Sequence, residues 1–132
     1  SRFKTQVQMK RSIKSINELV ESSHLSKRER AALPFFIKEL SGTEGPDSAI
    51  TLGWFVDNWN RRHLKNAHHL LTDVDGRRII RFIRNNGLVP RLMADRYGYF
   101  VASSSMAYNK YVEMLGRKLR RMNQTYQALR NQ

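Results

Sequence analysis

The chain has 132 residues, of which 24 are lysine or arginine and 11 aspartate or glutamate, giving a formal net charge of +13. A hydrophobic content of 40% is too high for a disordered basic tail and the length suits one compact domain, while no apolar run nears the roughly 20 residues that cross a bilayer. The absence of cysteine excludes disulfides, thiolate metal sites and cysteine nucleophiles. Ser1–Lys10 has no apolar stretch of the kind found in a secretory signal, so a cytoplasmic address is expected. These properties point to a polyanionic partner and no membrane.

The charge is unevenly placed. Residues 1–60 hold 9 basic and 7 acidic side chains, whereas residues 61–132 hold 15 and 4. Such an excess repels itself in a compact chain unless an anion relieves it, so the second half is expected to carry the function.

In chain order, Met9, Ile13, Ile16 and Val20 predict a first helix over about Thr5–Val20. Ser26-Lys27-Arg28-Glu29 is a capping-box pattern that opens a second, continuing through Leu33, Phe36, Ile37 and Leu40. Pro34 within it predicts a kink or a later start, since proline supplies no amide proton. Gly42–Pro46 reads as a loop. Residues 1–45 thus form an N-terminal helical segment, expected to pack as one domain with residues 46–132.

Thr51 caps a short helix through Leu52, Phe55, Val56 and Trp59, and Asn60–His69 reads as a loop or frayed turn. Thr72 or Asp73 caps a helix over Val74–Asn85, closed by Gly87 at the left-handed position that follows many helices. From Leu88 the period changes to two: Leu88–Ala94 and Tyr99–Ala102 flank the turn tetrad Asp95–Gly98, with Pro90 placing the first strand at an edge. Ser103–Ser105 caps a long helix to about Leu129, in which Tyr108, Tyr111, Leu115, Leu119, Met122, Tyr126 and Leu129 average 3.5 residues apart. That seam suits packing on the protein's own first helices, or a homodimer.

The helix over Val74–Asn85 has two faces. On a wheel, Gly76, Ile79, Ile80 and Ile83 fall within about a 100° arc, and Phe82 lies at its boundary. Arg77, Arg78, Arg81, Arg84 and Asn85 fill the other side. Arginine forks match guanine edges and phosphates, and asparagine matches adenine. Asp73 and Asp75 sit in the first turn, where they suit the helix dipole.

The run from Leu71-Thr72-Asp73 through Arg77-Arg78-Ile79-Ile80-Arg81-Phe82-Ile83-Arg84 to Gly87-Leu88, with Gly98-Tyr99-Phe100-Val101-Ala102, resembles winged helix-turn-helix DNA-binding domains. It looks closest to small winged-helix proteins of bacteriophages and mobile elements. The fold implied is mainly α with a small β-hairpin, N-terminal helices before it and a long C-terminal helix after it. The resemblance spans about residues 50–129 and makes Leu52–Trp59 the first helix of the helix-turn-helix. It departs from the pattern at Asn60–Leu70, which is longer than the usual turn between the two helices. It implies a regulator or replication accessory protein that binds double-stranded DNA. Arg77, Arg78, Arg81 and Asn85 would face bases. Arg84, Arg91, Arg96, Lys118 and Arg121 would face phosphates, with Tyr97 beside Arg96 on the wing.

Two alternatives stay open: RNA or single strands stacking on Trp54, Phe55, Tyr97 and Tyr99, and an inhibitor docking an acidic groove of a host enzyme. No catalysis and no cofactor is expected. Asp57 and Glu113 are isolated carboxylates, and no phosphate loop or nucleophile elbow is present. His63, His68 and His69 near Asp73 and Asp75 lack the converging geometry of a metal site.

Overall fold

The computed structural model describes residues 17–132, so most of the helix predicted over Thr5–Val20 lies outside the described residues; 17–22 are helical. The further elements are α1 (Lys27–Ser41), α2 (Leu52–Arg62), α3 (Asp73–Asn85), β1 (Leu92–Asp95), β2 (Gly98–Val101) and α4 (Ser105–Arg130), with short 3-10 turns at Pro46–Ser48 and Ala67–His69. None of the described helices is long and apolar enough to cross a membrane.

Three helices build the core. Ala32, Leu33, Phe36 and Leu40 of α1 meet Phe55, Val56 and Trp59 of α2 and Ile79, Ile80 and Ile83 of α3, with Leu71, Val89 and Leu92 closing the edges. Phe36 and Phe55, both fully buried, stack with ring centroids 4.8 Å apart. The predicted apolar arc of α3 is the arc that is buried. Gly76 lies in it because a Cβ there would meet Leu52 Cδ1 at 2.8 Å and Val56 Cγ2 at 2.9 Å, so its absence sets how closely α2 and α3 cross.

Caps define the helix starts. Ser26 and Glu29 form the predicted capping box of α1, and Thr72 rather than Asp73 caps α3, in a second box with Asp75. At the other end of α3, the Leu88 amide donates to the Ile83 carbonyl (3.0 Å) and the Gly87 amide to Arg84 (3.3 Å), with Gly87 at φ 61°. That pairing is the Schellman closure expected of a glycine at this position.

Pro34 does not delay α1, which runs unbroken from Lys27. Pro34 is on the solvent side, where water can reach the carbonyl of Arg30 that lacks its amide partner, while Leu33 and Phe36 beside it are held by the core.

The hairpin is shorter than its hydrophobic period suggests. Antiparallel pairing runs from Leu92↔Val101 to Asp95↔Gly98, so Leu88–Arg91 lies outside the strand and Pro90 is not an edge residue. The reason is local: Pro90 has no amide to donate, and Arg91 takes the left-handed conformation at φ 58°. On its other side β2 is joined by the chain that precedes α2. Ile50 and Tyr99 exchange both backbone hydrogen bonds (3.0 and 2.9 Å), and the Val101 carbonyl accepts from Gly45 at 2.9 Å. The buried Thr43 hydroxyl accepts the Val101 amide at 3.0 Å and donates to Leu40 at 2.7 Å. The loop after α1 thus anchors the hairpin to the core.

α4 begins at the Ser104 cap and contains no buried residue. The apolar seam expected to pack on the first helices is exposed from Leu115 to Leu129.

Candidate nucleic-acid interface

α3 stands as a ridge between two grooves. Towards α4 lies a cleft of about 800 Å³ lined by Arg77, Arg81, Arg84 and Asn85 of α3, by Arg91 and Tyr99, and by Tyr108, Tyr111, Val112 and Leu115 of α4. Towards the N-terminal side lies a shallower groove of about 440 Å³, lined by Leu19, Ser22, Ser23, His24 and Leu25 and by Arg78, Arg81, Phe82 and Asn85. Arg81 and Asn85 border both and, with the exposed Arg77 on the α4 side, form the crest of the ridge. Arg77, Arg78, Arg81 and Asn85 are exposed, and Arg84 is half-buried.

The arginines of α3 fall into two groups. Arg77 and Arg81 make no ion pair or hydrogen bond among the described residues, so their forks are available. Arg78 is engaged: its Nη2 donates to the His24 carbonyl at 2.9 Å, and its Nε is 3.7 Å from the fully buried carboxylate of Glu29. Arg84 is engaged too, donating to the Tyr111 hydroxyl at 2.6 Å and tying α3 to α4. Of the residues expected to face bases, Arg78 has become a strut. Of those expected to face phosphates, Arg84 has become a bracket for α4.

Two acids beside the ridge, Asp75 and Glu29, are turned inward, whereas Asp73 in the first turn of α3 is exposed. Asp75 is buried, pairs with Arg28 at 3.2 Å, and accepts the Thr72 amide at 2.8 Å. Burial pushes its carboxyl up, but the Thr72 amide and hydroxyl, the neighbouring Glu29 carboxyl and the Arg28 guanidinium together hold it below its ordinary value of 3.8. A depressed folded-state value means the stabilisation is complete above about pH 4 and is lost as the pH falls further. In an acid series of thermal melts, Asp75→Asn is expected to lower stability by about 1–2 kcal/mol at neutral pH and to flatten the loss below about pH 4. Equal acid sensitivity in both proteins would contradict this role.

The hairpin tip presents Arg96 and Tyr97. Arg96 lies over the Tyr97 ring, 4.8 Å from its centroid, and the Asp95 carboxylate accepts the Tyr97 amide at 2.7 Å. Arg91 is exposed at the base of the hairpin, its Nη1 3.5 Å from the Ser105 hydroxyl. Lys118 and Arg121 are exposed on the projecting part of α4. Arg121 is ten residues beyond Tyr111, about 15 Å along the helix axis. They are not brought together with the α3 ridge.

The long connection between α2 and α3 is ordered by side chains. Asn60 clamps Leu71 at two points, donating to its carbonyl (2.9 Å) and accepting its amide (2.7 Å). Trp59 donates from Nε1 to the His69 carbonyl at 2.7 Å. The His63 ring stacks on Trp59 at 3.9 Å, with its Nδ1 2.8 Å from the Trp59 carbonyl. These histidines brace the connection, and no group of three or more His, Asp or Glu among the described residues is placed to hold a metal. The clamp explains why α2 runs on to Arg62, through residues that read as a loop. An Asn amide has donor and acceptor together, but nothing in the sequence says which backbone it meets.

Two further residues of the cleft escaped sequence reasoning in their role. Tyr108 and Tyr111 fit the apolar period of α4, yet both line the cleft beside α3. Phe55, a candidate for stacking bases, is fully buried, and Trp54 of α2 stacks on Phe35 of α1 with ring centroids 6.2 Å apart.

Comparison with protein-family models, with curated proteins and with solved structures finds no match to this chain.

Proposed function

We propose that this chain is a winged helix-turn-helix protein that binds double-stranded DNA without catalysis, inserting α3 into the major groove with the hairpin as its wing. The observation that carries the reading is the crest of α3: Arg77, Arg81 and Asn85 are exposed on a helix fixed by the core, while the nearby acids Asp75 and Glu29 are buried. An exposed cationic helix face whose counter-charges point inward is complementary to a polyanion, and arginine with asparagine can read guanine and adenine edges. The order of elements supports the winged arrangement. A helix is followed by one residue bridged to the hairpin, then by two helices, the second carrying the basic face, and then by the hairpin itself.

In this reading Arg77, Arg81 and Asn85 face bases, and Arg91 and Arg96 contact phosphates, with Tyr97 stiffening Arg96. Arg78 and Arg84 hold the ridge in place. A regulatory or replication-accessory role in a phage or mobile element is what the resemblance of residues 71–102 to winged-helix proteins of that origin implies.

Duplex binding titrated against salt tests the reading. With six to eight phosphates neutralised, log affinity is expected to fall against log salt with a slope of about −5 to −7. A flat salt dependence, or a preference for single strands in competition, would overturn it.

A further inference from the structure

The exposed seam of α4 has a more regular composition than its sequence spacing suggested. Once Tyr111 is tied to Arg84, the stripe left exposed among the described residues is Val112, Leu115, Leu119, Met122, Tyr126 and Leu129, at spacings of 3, 4, 3, 4 and 3. All six are 40–69% exposed. This is an unbroken a/d heptad pattern, with Val112, Leu119 and Tyr126 at a and Leu115, Met122 and Leu129 at d. The stripe winds around a straight helix and becomes a continuous contact only when two helices supercoil. A surface that also repeats every 3.5 residues covers it along its whole length.

The charges say which surface that is. The positions flanking the stripe are Gly116, Lys118, Asn123, Thr125 and Arg130, mostly neutral, whereas Arg117, Arg120 and Arg121 point away from it. In a parallel pair, Lys118 of one helix meets Asn123 of the other, and Thr125 meets Arg130, so no cation faces a cation across the seam. Because each flanking cation falls opposite a neutral residue, the seam admits a second copy of the chain, with Arg117, Arg120 and Arg121 turned outward. Leu115, Met122 and Leu129 fill the d layers and Val112, Leu119 and Tyr126 the a layers, so the seam is apolar at every layer, as a coiled coil requires.

We propose that this face pairs with the same face of a second copy of the chain, in a two-stranded parallel coiled coil over Val112–Leu129. The pairing does not depend on the DNA reading. If both hold, the coil presents two α3 ridges about one twofold axis, and the target is a pair of half-sites.

The experiment uses the full chain without nucleic acid. Sedimentation in high salt is expected to give twice the 15.5 kDa mass of one chain. The chain has no cysteine, so a single introduced one reports the register. Leu119→Cys should cross-link to its own copy on oxidation, because a parallel seam places that position opposite itself, while Arg121→Cys should not. Leu119→Glu with Met122→Glu should give a monomer whose circular dichroism still shows a folded body, since neither side chain is buried. A monomer at every soluble concentration would overturn the proposal. A dimer that survives the double substitution, or one that cross-links from Arg121→Cys and not Leu119→Cys, would equally overturn it.

Discussion

Reversing the two free arginines of the crest, Arg77→Glu with Arg81→Glu, is expected to weaken duplex binding about 10³-fold. Each substitution removes a charge-assisted contact worth roughly 2 kcal/mol and sets a carboxylate against the phosphates, and about 1.4 kcal/mol is tenfold in affinity. Both side chains are exposed and make no ion pair or hydrogen bond among the described residues, so the melting temperature should barely move. Fluorescence anisotropy with a labelled duplex, alongside a thermal melt, separates the two effects. Arg78→Ala is the contrasting variant. It leaves the Glu29 carboxylate buried without its cation, because Glu29 Oε2 has no hydrogen bond of its own, so stability should fall along with affinity. Unchanged affinity in the double variant would remove α3 from the interface. If that variant lost DNA binding but still bound a host protein, the inhibitor reading would gain.

Gly98→Ala is expected to detach the hairpin and cost several kcal/mol, although it adds one carbon atom. Two separate requirements meet at this residue. Its φ of 128° is a conformation that side-chain-bearing residues rarely adopt. A Cβ would also lie 2.4 Å from the Ile50 carbonyl oxygen and 2.9 Å from the Thr51 nitrogen, both backbone atoms that cannot swing aside. Relief requires breaking the Ile50–Tyr99 hydrogen bonds, which join the hairpin to the chain entering α2. Chemical denaturation should show the loss, and hydrogen exchange should show it centred on Tyr99 and Ile50. Wild-type stability in this variant would mean the hairpin is not held as described. Gly87→Ala is milder by the same reasoning, because its φ of 61° is strained for alanine but no atom stands within 4 Å of the added carbon.

Much of this was legible in the residues because it is local. Ser26 and Thr72 cap their helices through side chains three residues away, and Gly87 closes α3 through carbonyls of its own last turn. The period of Ile79, Ile80 and Ile83 identified the buried face of α3, and by exclusion the arginine face. Local rules misled in two places, once because tertiary packing intervened and once because a second local feature overrode the first. Pro34 passes through α1 because the core holds both sides of it. The hairpin ends at Leu92 because Pro90 and Arg91 turn the backbone, although the apolar period continues.

The amino-acid sequence by itself determined the excess of cations, the helix that concentrates them and the heptad spacing of α4. Those depend on residue identity and on periods of 3.5 and 3.6, which any helix displays. Only the tertiary structure decided which arginines are free. Arg78 reaches His24 across 54 positions and Arg84 reaches Tyr111 across 27, and no periodicity encodes a contact between separate elements. It also sent Asp75 and Glu29 into the interior, leaving Arg77 and Arg81 exposed on the crest of the ridge. A charge count belongs to the composition, but a binding face depends on which charges the fold has already paired.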